Sequence, residues 1–324
     1  MKNNFLKYGK MSLAFFAFFL FLLFPFEAFA KNSIQISPLT YNFEIKAGES
    51  SKAKITITNS SGHNFDYICQ VEDFYGTNEQ GAPIFSKNQA KNNNSGLADW
   101  LNIPNNENEG IIAPGGKKII TANIIIPKNA NPGGYYAAVF VGQNIENNKS
   151  PFSISSRVGT LILVSVPGNG SKAEAIKKAE IGNFSFPKII WSNYKLVLNY
   201  GKFPKIEKRK IDFKALIKNT GMVHYDANAA VGVKSIFGNE DRVDLGTHTI
   251  LPGSNRSYNG EWNKKYPFGY YKLTLIVANQ EQILASEKTS ILVIPLPLII
   301  GIFIILFLLI SFIRTRLNPK KHTS

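Results

Sequence analysis

The sequence predicts an all-β body of two immunoglobulin-like β-sandwich domains followed by one C-terminal transmembrane helix. Three observations carry that expectation. Short runs rich in Ile, Val, Thr, Tyr and Phe recur from residue 31 to about 290, bounded by Gly, Pro and Asn clusters. Helical periodicity is nearly absent from the same region. Two uninterrupted apolar segments sit near the ends of the 324-residue chain.

The first segment reads as a signal peptide over 1–30. Lys2, Lys7 and Lys10 precede an apolar run from Met11 to Phe24, Pro25 breaks it, and Ala28-Phe29-Ala30 offers a small-x-small cleavage site. The second, 291–313, is uncharged and long enough to span a bilayer. Arg314, Arg316, Lys320 and Lys321 follow it, so the tail 314–324 is expected in the cytoplasm and the body outside. The expected location is therefore the cell membrane, single-pass, with the N-terminal domains extracellular.

In the first domain, 31–167, Ala53, Ile55 and Ile57 alternate within Lys52–Thr58, and Phe65, Tyr67, Cys69 and Val71 alternate in the next run. Lys117–Ile126, Gly134–Val141 and Val158–Val166 continue the series. Pro167 to Ser171 reads as a linker. In the second domain, 168–290, strands are expected at Tyr194–Asn199, Ile211–Lys218, Ala227–Phe237, Arg256–Trp262, Tyr270–Ala278 and Gln282–Thr289. That density of short strands argues for immunoglobulin-like sandwiches. A weak repeat links the halves. Ala113-Pro114-Gly115-Gly116 and Leu251-Pro252-Gly253-Ser254 each precede a strand, and Gly134-Tyr135-Tyr136 and Gly269-Tyr270-Tyr271 each open another.

The net charge of +15 first suggests nucleic acid. Export removes that reading, so no nucleic acid is expected. Residues 31–170 hold 11 basic and 10 acidic residues, whereas 171–290 hold 19 and 11. The positive charge thus lies next to the membrane, where anionic lipid or wall polymer would attract it. Within it, Lys202, Lys205, Lys208, Arg209 and Lys210 form the candidate anionic-surface contact.

No catalytic set, metal-ligand spacing or cofactor motif stands in the chain, so no enzyme and no cofactor are expected. A single cysteine excludes a disulfide framework. Cys69 shares a face with Tyr67 and Val71 and reads as a buried thiol. His224 and Asp226 fall on one strand face and read as an exposed turn or strand-end pair rather than a catalytic dyad. Residues 75–110 form the least regular stretch, with Leu97 to Leu101 as a short apolar knot of one helical turn. The candidate ligand-binding residues are Glu72, Asp73, Phe74, Tyr75 and Trp100 around this loop, with Tyr135 and Tyr136 from the hairpin. Trp100, Phe74, Phe85 and Tyr75 have the ring faces to stack on sugars. Trp100 also has the alternative of pinning the loop to the sandwich.

Ile36-Ser37-Pro38, Ala47-Gly48-Glu49, Ile57-Thr58-Asn59, Val71-Glu72-Asp73-Phe74, Asp99-Trp100-Leu101, Ala113-Pro114-Gly115 and Gly134-Tyr135-Tyr136, followed by Asn219-Thr220-Gly221, Leu251-Pro252-Gly253 and Trp262, resemble the WxL-interacting proteins of Gram-positive bacteria, as a divergent member. The resemblance implies an outer domain that binds peptidoglycan and a membrane-proximal domain that meets surface protein partners. The expected partners are accordingly peptidoglycan or an anionic wall polymer, a surface protein, and the membrane itself. The alternative is a chaperone-like or assembly module that accepts a strand from an exported subunit at a sandwich edge.

Overall fold

The computed structural model describes residues 34–85, 96–143, 157–168, 176–192, 196–197, 205–206, 209–264 and 267–317. The expected signal segment, most of the expected Pro167–Ser171 linker and the end of the tail lie outside them. The described chain is all-β apart from three helical pieces.

The first sandwich comprises β1 (Ile34–Ser37), β2 (Thr40–Glu44), β3 (Ser50–Asn59), β4 (Phe65–Asp73), β5 (Leu101–Asn102), β6 (Glu109–Ile112), β7 (Lys117–Ile125), β8 (Gly133–Gln143) and β9 (Arg157–Val166). A four-stranded sheet, β1-β3-β7-β5, faces a five-stranded sheet, β2-β9-β8-β4-β6. Alternation fixes the inner face: Ala53, Ile55 and Ile57 of β3 and Ile120, Ala122 and Ile124 of β7 are fully buried. Cys69 joins that core as a free thiol, and burial pushes its pKa up to about 12.

The second sandwich comprises β10 (Ala179–Ser185), β11 (Ile189–Ser192), β12 (Leu196–Val197), β13 (Lys205–Ile206), β14 (Arg209–Asn219), β15 (Tyr225–Ser235), β16 (Glu240–Ile250), β17 (Asn255–Lys264), β18 (Gly269–Ala278) and β19 (Ile283–Pro295). The sheet β10-β14-β17 packs on β11-β19-β18-β15-β16, and β12 and β13 form a separate pair. Phe213, Tyr258, Leu273 and Leu275 are fully buried between the sheets.

The repeat seen in the sequence is one structural device used twice. Asn59 and Asn219 end β3 and β14, and both are fully buried. Each side-chain amide donates to two carbonyls within 2.9 Å, those of His63 and Ile112 for Asn59, with Ala113 a third at 3.3 Å, and those of Val223 and Ile250 for Asn219. The backbone carbonyl of each asparagine accepts from the glycine N–H of the matching Pro-Gly turn, Gly115 for Asn59 and Gly253 for Asn219, at 2.8 Å. Both glycines have positive φ, 72° and 74°, which other residues rarely adopt.

One sequence boundary is corrected. The expected span began at Ile291, but β19 runs to Pro295. Ile291 and Val293 are both 1% exposed in the second core, because their alternation continues the inner face of β18 and β19. The C-terminal helix occupies Leu296–Leu317, 22 residues. Among the described residues, no helix is long and apolar enough to cross a membrane.

Candidate functional site

The two sandwiches meet in a polar-and-apolar seam on the outer face of the first five-stranded sheet. Along β8, Ala137, Val139 and Val141 face the first core, so Tyr136 points the other way. There it packs with Phe74, Leu163 and, from the second sandwich, Leu251. The turn between β14 and β15 sits on this patch. The Gly134 N–H donates to the Met222 carbonyl at 2.9 Å. The Thr77 N–H donates to Ser254 Oγ and the Ser257 N–H to the Glu79 carbonyl, both at 2.9 Å.

His224 is the hub of the seam. Its backbone N–H donates to the Tyr136 hydroxyl at 3.1 Å, and the same hydroxyl lies 3.3 Å from Nδ1. Nε2 faces Asn42 Oδ1 from β2. A neutral ring protonated on Nε2 satisfies all three: Tyr136 donates to Nδ1, and Nε2–H donates to Asn42. Burial is the main reason its pKa falls to about 4, with Lys177 adding to the effect and Asp226 opposing it. Beside it opens a polar cleft of about 360 Å³ lined by Asn42, Ser165, Lys177, His224, Asp226 and Glu281, among others. His224 is thus not the exposed strand-end residue its spacing suggested. It is 4% exposed because the other sandwich covers it.

The sequence-nominated ligand residues are not gathered into one open surface. Phe74, 2% exposed, and Tyr136, 8% exposed, are sealed in the seam and present no face for stacking. Asp73 accepts from the Ala98 N–H at 2.8 Å and so caps the 3-10 turn Leu97–Trp100. Burial raises its pKa, against that hydrogen bond. Glu72 pairs with Arg157, whose guanidinium also lies 3.8 Å from the Phe140 ring centre. Trp100 packs on the first core against Tyr135, ring centroids 4.4 Å apart, which pins the loop. Tyr75 is half-buried, its N–H bonded to the Ile84 carbonyl. Of the basic segment, Lys202 and Lys208 lie outside the described residues, and Lys205 and Arg209 have only their backbones described. Lys210 is paired with Glu261 at 2.9 Å.

Sequence reasoning missed a second feature, the lateral flank of the second sandwich. β11 covers β19 only over Leu292–Pro295. Among the described residues, Ile283–Ile291 has no strand on that side. β10 is likewise the end strand of its own sheet. Ile181 and Phe184 on β10 and Leu284 and Ala285 on β19 pack against the core yet stay half-exposed. A sandwich open along one side produces that pattern. A charged residue among inward positions along an edge, here Glu287 opposite Leu275, is a known guard against indiscriminate pairing. Among the described residues, no cluster of His, Cys, Asp and Glu could hold a metal.

Fold and site together define an all-β, two-sandwich protein with an interdomain seam and an open flank. No protein-family model matches the chain, and no curated protein sequence matches it. Among solved structures it is similar to a chaperone–tip adhesin complex of CFA/I fimbriae biogenesis, at 15% identity over 81% of this chain and 99% of that one, with a TM-score of 0.36. It is also similar to the class 5 fimbrial chaperone CfaA, at 14% identity over 81% and 100%, TM-score 0.36. A third is the CupB2 chaperone of Pseudomonas aeruginosa, at 8% identity over 80% and 100%, TM-score 0.34. Similarity at this level carries no inference about partner or activity.

Proposed function

We propose that this is an exported, membrane-anchored binding protein that holds an extended segment of a protein partner against the open flank of its second sandwich. The observation that carries this reading is the edge of β19 over Ile283–Ile291, which no strand among the described residues pairs, beside the half-exposed Ile181, Phe184 and Leu284. Such an edge supplies main-chain hydrogen bonds for an added strand, and the apolar row supplies side-chain selectivity. No reaction is assigned, and none is needed for such a role.

The anchor in this reading is the C-terminal helix. The side chains described along it stop at Arg314, but its backbone is helical for 22 residues. The described side chains alone do not make a span that is long and apolar enough; the reading takes the whole helical backbone, which at a rise of 1.5 Å per residue is about 33 Å, against a hydrocarbon core of about 30 Å. Phe303, Ile305, Phe307 and Leu308 point in different directions around it and are 60–71% exposed. A helix that is apolar on every side is stable in lipid rather than water.

Placing a photo-cross-linking residue at Leu284 in the full chain, on intact cells, tests the partner. The expected product is a cross-link to an exported protein through a segment of alternating apolar residues. Cross-linking only to wall glycan, or none, sinks the strand-binding reading. The second reading, retention by peptidoglycan, draws on the WxL-interacting resemblance and on the partly exposed Trp100–Tyr135 pair. Co-sedimentation with isolated wall sacculi, lost in Trp100→Ala, is its expected outcome.

A further inference from the structure

The outer face of the five-stranded sheet in the second sandwich is patterned in rows, and strand register fixes who shares each row. Tyr270 lies opposite Leu292, and Leu292 opposite Ile189. The Ile236 N–H donates to the Tyr270 carbonyl, which carries the row onto a further strand end. All four side chains are exposed. One step closer to the C-terminal helix, Trp191 lies opposite Ile294 and is 54% exposed. Beside this row the Phe237 and Phe268 rings, both exposed, sit 5.8 Å apart. A contiguous apolar band of this width marks an interaction surface.

Its position says what covers it. β19 ends at Pro295 and the C-terminal helix starts at Leu296, with no linker between them. Trp191 is therefore one strand spacing, about 4.8 Å, from a residue two positions before the helix. On the side away from the helix, the next outer row is cationic. Lys234 lies opposite Lys272, and Lys288 follows one row further, opposite Thr274. Rows on one face lie about 7 Å apart. All three lysines are exposed, and Lys234 also reaches Glu240 at 3.8 Å. Moving away from the helix, the face thus changes from aromatic and aliphatic to lysine within two rows. A bilayer surface presents the matching sequence, acyl boundary first and headgroup phosphates beyond it.

We infer that this face of the second sandwich rests on the membrane from which the helix emerges. Trp191, Tyr270 and the aliphatic row lie at the headgroup–acyl boundary, and Lys234, Lys272 and Lys288 lie on lipid phosphates. The inference rests on the reading of the helix as a membrane anchor. Its consequence is orientation: the sandwich is clamped to the surface rather than swinging on a tether, and the open flank is held at a fixed angle to the bilayer.

The test uses the full chain in vesicles of about 3:1 phosphatidylcholine to phosphatidylglycerol, with bromines placed high on the acyl chains as tryptophan quenchers. Trp262 is buried and Trp100 packs on the first core, so only Trp191 is placed to meet lipid. The expected result is quenching in the parent chain that disappears in Trp191→Phe, an exposed and conservative change. Equal quenching in both, with the chain still resistant to alkaline carbonate extraction, overturns the inference and leaves the anchor standing. Release by carbonate overturns the anchor reading, and the inference with it. Lys272→Gln with Lys288→Gln is expected to reduce the quenching only when phosphatidylglycerol is present.

Discussion

Burial of His224 ties the seam to pH. Its unfolded pKa is near 6.5 and its folded pKa is about 4, so between those values the unfolded chain binds a proton that the folded chain refuses. The contribution of this residue is intact above pH 6.5 and is lost as the pH falls toward 4. The full loss is on the order of 3 kcal/mol. Denaturant midpoints measured across that window should fall with pH, and the slope should flatten in His224→Gln. Tyr136→Phe removes one hydroxyl, strands the His224 N–H and leaves Nδ1 only the Ser165 hydroxyl at 3.5 Å. It is expected to cost about 1–3 kcal/mol, read from the same midpoints at neutral pH. Asp73 shows the opposite lesson at this scale. Its carboxylate looked like ligand chemistry next to Glu72, but it is spent on the 3-10 turn. Gly96 lets it approach: a Cβ there would lie 1.7 Å from the Asp73 carboxylate. A Gly96→Ala variant should uncap that turn, seen as faster amide exchange over Leu97–Trp100.

At the scale of elements, the strands that were legible are those with a clean two-residue alternation, such as β3, β7 and β18. Those overlooked carry weak or polar patterns. β16 reads Glu-Asp-Arg-Val-Asp-Leu and sits at the edge of its sheet, where half its residues face water. β2, β6 and β11 are only four or five residues long. The turns tell more than the strands. Asn59 and Asn219 lock the same turn pair in the two sandwiches, each amide reaching two carbonyls at no more than 2.9 Å. Replacing either with Ala leaves buried carbonyls unpaired, and about 3 kcal/mol of destabilisation is expected for each, measured by thermal or denaturant unfolding.

At the scale of the molecule, the two sandwiches are clamped as well as stacked. The Arg256 guanidinium of the second sandwich lies where a side chain on Gly81 of the first would have to be, and Gly81 has φ of 88°. Gly81→Val is therefore expected to loosen the seam, detected as new protease cleavage between the sandwiches while each core stays protected. The sequence by itself determined that the body is all-β, with two sandwiches implied by strand density, and that an apolar segment follows it. Alternation and Pro-Gly turns are local signals, and they survive without knowledge of the partner element. Tertiary structure alone decided which exposed-looking residues are used up. Tyr135 and Tyr136 align with Tyr270 and Tyr271, yet the core takes Tyr135 in one sandwich and Tyr271 in the other. A one-residue difference in face turns Tyr136 toward the second sandwich and buries Phe74 and His224 with it. No local pattern encodes that choice, because the surface that covers these residues comes from 80 or more positions away along the chain.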